Sequence, residues 1–202
     1  MPHRLRRPAR RRATVLHACA LAGVAGLMFI GDGIYLKAKA LLAQHLIASA
    51  WEKSRTEGIA PAPWPWADTR PVALLSVPRL ERKLYVLEGD RPRTLAFGPG
   101  HRSASPLPGK PGNSIISGHR DTHFKFLREL LTGDEVVIES RSGSLRRYRV
   151  VQTEVVHKGD LSVIGDSDDP RLTLITCYPF DALTTDGPLR WVVTATAANA
   201  TN

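Results

Sequence analysis

Cysteine is scarce in this chain: among 202 residues there are only Cys19 and Cys177. Cys19 lies in an apolar run near the N-terminus and Cys177 close to the C-terminus, so with that run in a membrane the two cannot bridge within one chain. A lone thiol in an exported domain then asks for an explanation, and reactivity is one. Walker and GxGxxG motifs are missing, and no His/Cys cluster has metal-ligand spacing, so neither a cofactor nor a metal is expected. No internal repeat or low-complexity tract is present. Acids are missing from the first twelve residues, which hold six arginines (Arg4, Arg6, Arg7, Arg10, Arg11 and Arg12). Those arginines account for most of the net charge of +9 and leave +3 on the rest. The basicity is therefore a terminal tag rather than a basic face, which argues against nucleic-acid binding.

The length allows one domain with a short accessory segment. Residues 13–31, ATVLHACALAGVAGLMFIG, carry no formal charge over nineteen positions, and Asp32 ends the run. That is close to the ~20 apolar residues that span a bilayer core. With arginines on the preceding flank, residues 1–12 are expected in the cytoplasm, 13–32 across the inner (cell) membrane as a single pass, and the remainder periplasmic or otherwise extracytoplasmic. A cleaved signal peptide is the rival reading, although the run is longer than a usual signal core and continues into helix-forming sequence. Residues 33–57 are rich in Ala, Leu and Lys, and predict a juxtamembrane helix with Leu41, Leu42, His45, Leu46 and Ser49 on one face. Residues 58–71 carry Pro61, Pro63, Pro65 and Pro71 and read as an extended linker. Trp64 and Trp66 within it are expected to pack against the following domain.

Residues 72–202 read as a small all-β domain, a closed barrel or a sandwich. Eight β-type runs are expected, at 72–77, 84–88, 94–97, 113–117, 136–139, 145–156, 172–176 and 190–196. One short helix is expected at 124–131, and 98–112, rich in Gly and Pro, is expected to be a surface loop.

Cys177 follows the run LTLIT, where a strand should emerge at the domain's rim, and Tyr178-Pro179 then opens a loop. Free cysteine is often simply buried, so the position matters. Only a thiolate attacks, so a cysteine nucleophile needs a base or cation nearby. His45 belongs to the expected helix, while His101, in the Gly/Pro loop, and His157, at a strand end, read as surface residues. His119 follows Ser117-Gly118, and glycine lets the backbone turn and present the next side chain at the rim. His123 is its rival, four residues on. Arg190 opens the last strand; its guanidinium is charged at any relevant pH and suits an oxyanion or a substrate carbonyl. By itself it reads rather as an ordinary strand arginine paired with a surface carboxylate.

Three blocks in order, SGHRDTHF at 117–124, TLITC at 173–177 and Arg190, resemble the signature blocks of the sortase family. The similarity covers roughly residues 70–197, and WPWADTRP and CYPF resemble its Gram-negative branch, class GN. The resemblance implies a closed eight-stranded sortase-type β-barrel with short helices, preceded by a transmembrane helix, and a cysteine transpeptidase site at one end. It implies an exported partner protein with a C-terminal LPxTG-like sorting signal and an amine acceptor such as a peptidoglycan precursor. Carried over by position, Cys177 forms the acyl-enzyme at the Thr–Gly bond, His119 is the acid/base, Arg190 binds substrate and stabilises the oxyanion, and Thr176 lines the peptide groove. The calcium site of one branch needs clustered acids that have no match here. Three rivals stay open. An L,D-transpeptidase needs a glycine-flanked cysteine that Thr-Cys-Tyr-Pro does not supply; the others are a plain cysteine peptidase and a non-catalytic envelope-binding domain with Cys177 sealed and inert.

Overall fold

The computed structural model describes residues 8–58, 60–184 and 187–198, with side chains from residue 16 onward. Contacts divide the chain into two units, Met1–Leu42 and Ala43–Asn202. A single helix, α1 (Pro8–Thr56), makes up the described part of the first unit and ends inside the second. The segments expected at 13–32 and 33–57 thus form one continuous helix. Gly31 and Gly33 do not break it, since each costs a helix only about 1 kcal/mol relative to alanine. In the first unit Leu16, Leu21, Leu27, Met28 and Phe29 are all exposed. Apolar residues face every side, and the helix is long and apolar enough to cross a membrane.

In the second unit the last turns of α1 bury Ala43, Ile47, Ala50, Trp51 and Ser54. These positions recur at helical spacing and define one face. It differs from the expected face: Leu41 and Leu42 are exposed, and the buried stripe is the one whose small alanines admit close approach. Trp51, with none of its surface exposed, lies 6.3 Å from the Tyr85 ring, Gln44 Nε2 donates to the Phe97 carbonyl, and Arg55 pairs with Glu139 at 3.2 Å. In the linker, Trp64 packs edge-on against Phe97 and the Thr69 hydroxyl donates to the Glu88 carbonyl, whereas Trp66 is exposed.

Eight strands follow: β1 (Pro71–Val77), β2 (Arg82–Glu88), β3 (Gly100–His101), β4 (Asn113–Ser117), β5 (Glu135–Ser140), β6 (Leu145–His157), β7 (Arg171–Tyr178) and β8 (Leu189–Ala197). They close as a barrel in the order β1-β2-β3-β4-β7-β8-β6-β5. Closure leaves no sheet edge. Leu75, Val86, Ile116, Ile138, Leu172 and Val193 meet in its core; burying each such side chain stabilises by about 1.5–3 kcal/mol. The two connections that matter most here are parallel β4–β7 and antiparallel β7–β8.

Three local expectations are corrected. Residues 94–97 are not a strand: Pro92 sits in the first turn of a short helix, α2 (Pro92–Leu95), where its missing N–H costs nothing. The eighth strand comes instead from the supposed surface loop, at Gly100–His101. A Cβ at Gly100 would stand 2.2 Å from the Gly89 carbonyl oxygen, so only glycine allows this close pairing. His101 is accordingly buried, with Nε2 2.9 Å from the Pro106 carbonyl oxygen, and is no surface residue. The helix expected at 124–131 is a 3-10 turn over Lys125–Glu129 that buries Phe126 and Leu127.

Candidate active site

The β4–β7 pairing is parallel, with Ser117 opposite Ile175. The ladder continues one step beyond β4, because the Gly118 amide donates to the Ile175 carbonyl at 3.1 Å. His119 therefore leaves β4 at the same barrel end at which β7 delivers Cys177. Gly118 is needed for that exit: a Cβ there would lie 2.7 Å from the ring of buried Phe124. The Phe124 amide donates to the His119 carbonyl at 2.9 Å and closes the turn that carries the imidazole.

The β7–β8 pairing is antiparallel, with Cys177 directly opposite Arg190. Opposed residues of such a pair project from the same face, with Cβ atoms about 4.5–5.5 Å apart. Cys177 is half-buried, Arg190 is half-buried and His119 is exposed. Cys177 as a residue is therefore not fully buried, contrary to what the non-catalytic reading required. Arg190 Nη1 donates to the carbonyls of Gly187 and Leu189, both at 2.8 Å. Its Nε and Nη2 bond no described residue. Just past the thiol, Tyr178 stacks on Trp191 at 5.9 Å, Phe180 meets both rings edge-on, and Trp191 Nε1 donates to the Leu127 carbonyl. This aromatic group braces the ends of β7 and β8 beside the site. The other thiol, Cys19, belongs to the first unit.

Thr176 is corrected. Only 2% of it is exposed, and its hydroxyl donates to the Gly118 carbonyl at 2.7 Å. It does not present its side chain to a groove; it ties the cysteine strand to the histidine turn. The alternation of β7 is the reason, since Thr176 and Cys177 point to opposite faces.

His123, the rival imidazole, is half-buried. Burial pushes its pKa below the ordinary value; a hydrogen bond with the Ala96 backbone opposes that, and the neighbouring His119 adds to it. His119, by contrast, is exposed. Arg120 belongs to the histidine block of the sequence, which assigns it no role of its own. It is buried, with Nη2 donating to the carbonyls of Ala182 and Thr184 in the β7–β8 connection. Among the described residues, no group of three or more His, Cys, Asp or Glu side chains is placed to hold a metal ion.

Comparison with known proteins points the same way. The sortase-domain family model matches residues 75–198, more than half of the chain and nearly the whole barrel. Sortase D of Bacillus subtilis is 34% identical over 121 residues, covering 59% of this chain and 60% of the relative. Sortase A of Listeria monocytogenes is 30% identical over 110 residues, covering 52% and 49%. The chain thus spans about half to three fifths of the length of these relatives. Sortase A from Corynebacterium diphtheriae superposes with a TM-score of 0.59 at 29% identity, covering 66% of this chain and 63% of that one. With the fold, the ordered blocks and these relatives in agreement, this chain belongs to the sortase family, whose members are cysteine transpeptidases.

Proposed function

We propose that this protein is a membrane-anchored sortase. It cleaves an LPxTG-like sorting signal between Thr and Gly and transfers the substrate protein to an amine. The observation that carries the reading is the pairing of a partly exposed Cys177 with Arg190, with His119 emerging at the same barrel end.

The Cys177 thiolate attacks the threonine carbonyl carbon and forms a C–S bond, and negative charge builds on the carbonyl oxygen. Arg190 meets that oxygen with the nitrogens not engaged by Gly187 and Leu189. Oxyanion donors of this kind contribute about 2.7–4 kcal/mol each. Collapse of the intermediate breaks the C–N bond, and His119 protonates the departing glycine amine. An incoming amine then attacks the thioester, loses its proton to His119 and expels the Cys177 thiolate, which restores the enzyme. Thr176 enters as support for the histidine turn rather than as a contact with substrate.

The substrate is a second exported protein carrying the signal at its C-terminus, and a peptidoglycan precursor is the natural amine. Helix α1 is the anchor, with the arginines of residues 1–12 in the cytoplasm and the barrel outside. The resemblance of WPWADTRP and CYPF to class GN supports placement in that branch. The reading is tested by incubating the protein with LPxTG-type peptides and an amine such as triglycine. A product joining the Thr carbonyl to that amine is expected, and no ligated or hydrolysed product from any such peptide would contradict the assignment.

A further inference from the structure

Arg120 is a buried cation with an unusual set of partners. Only 7% of it is exposed, yet no described carboxylate lies within ion-pair distance. Its Nη1 is buried without a hydrogen-bond partner among the described residues. Nη2 alone is engaged, by the backbone carbonyls of Ala182 and Thr184. Burying a guanidinium without a counter-charge is costly unless its donors are met.

Its partners sit between the two residues of the proposed site. Ala182 and Thr184 belong to the connection that leaves β7 after Cys177 and returns at Arg190. At the end of that connection Arg190 Nη1 donates to the Gly187 and Leu189 carbonyls. Arg120 thus holds the connection at Ala182 and Thr184, and Arg190 holds it at Gly187 and Leu189. Arg120 is itself the residue after His119, in the turn fixed by the Phe124 amide. The middle of the segment also has a side chain that nothing holds: Leu183 is fully exposed.

We infer that Arg120 is a positioning residue: by holding the β7–β8 connection to the His119 turn, it fixes the orientation of the Arg190 guanidinium. The inference rests on the proposed roles of Cys177, His119 and Arg190. The guanidinium matters here for where it puts Nη2, the nitrogen that meets both carbonyls at the end of a planar, rigid head. Lysine retains the charge but offers a single ammonium that cannot take the same place. Loosening the connection frees the Gly187 carbonyl, and with it the geometry of Arg190.

The test uses Arg120→Lys and Arg120→Gln in the full chain, with two readouts. Chymotrypsin reports the hold on the loop without reference to catalysis, since Phe180 and Leu183 are its sites there. Nicking in this segment should be at least about fivefold faster in both variants, because cleavage follows the population of the opened loop. Turnover of an LPETG peptide with triglycine is then compared in two backgrounds. Arg120→Lys should lower kcat about tenfold with KM little changed in the wild-type chain, and lower it less than about twofold in the Arg190→Lys chain, because the effect passes through Arg190.

Unchanged nicking would overturn the inference, as would an equal tenfold loss in both backgrounds. Loss of the folded barrel in both variants would also contradict it, since Arg120 lies outside the hydrophobic core. Should the wild-type chain fail to turn over any sorting peptide, the proposed function falls, while the nicking rates still decide whether Arg120 holds the loop.

Discussion

Cys177 and Arg190 stand directly opposite each other on β7 and β8, on the barrel end where β4 releases His119. Cross-strand register, rather than a loop, sets the sulfur–guanidinium relationship. A one-residue slip would send one of the two to the opposite face. Placing the pair on strands gives the site the rigidity of the barrel, and only the histidine depends on a turn.

Replacing Arg190 should therefore damage chemistry more than binding. Arg190→Lys is expected to lower kcat at least about a hundredfold, in line with loss of an oxyanion donor. Steady-state kinetics on a sorting peptide checks this, and near-normal turnover would show that any cation suffices.

The two histidines should separate cleanly. His119→Ala should abolish transpeptidation, whereas His123→Gln should leave kcat within about threefold, because it is His119 that leaves β4 one residue past the Gly118–Ile175 bond to the thiol strand. Equal losses would leave the base unassigned.

The depressed pKa of His123 also predicts a pH effect on stability. In the folded chain its imidazole resists protonation, while in the unfolded chain it protonates below about 6.5. The unfolded state therefore binds the extra proton, and stability is retained above that pH and lost as pH falls toward the lower, folded value. Thermal unfolding of wild type and His123→Gln at pH 7 and pH 5 should show a steeper loss in the wild type. Parallel losses would remove His123 as the cause.

Gly118→Ala tests the histidine turn. The added Cβ would meet the buried Phe124 ring at 2.7 Å, so ring or backbone must move. Overpacking of this sort costs about 1–3 kcal/mol, which urea unfolding can measure. Activity should fall further than that stability loss alone explains, because the strained turn carries His119.

Much of this was legible in the sequence, and what was not has physical reasons. Strands β4, β7 and β8 announce themselves because β-branched and apolar residues sit in short runs bounded by Gly and Pro. The two-residue β3 has no such run. It exists because Gly100 lets its backbone approach Gly89, a tertiary fact with no periodic signal. The buried face of α1 was misjudged because leucines outweigh alanines in any hydrophobic pattern, although Ala43 and Ala50 are what admit close packing around Trp51. The proposed site residues Cys177, His119 and Arg190 come from the ordered blocks, and so do the names of Thr176 and Arg120. What those two do was not legible, since a hydroxyl or a guanidinium tied to backbone carbonyls looks in sequence like any polar residue.

The most direct test of the account is intact-mass analysis of the protein after incubation with LPxTG-type peptides, followed by mapping of the modified residue. An acyl adduct on Cys177, missing when that residue is replaced by alanine in an otherwise folded chain, is the predicted result. Transpeptidation that persists in Cys177→Ala, or an adduct carried by another residue, would contradict it.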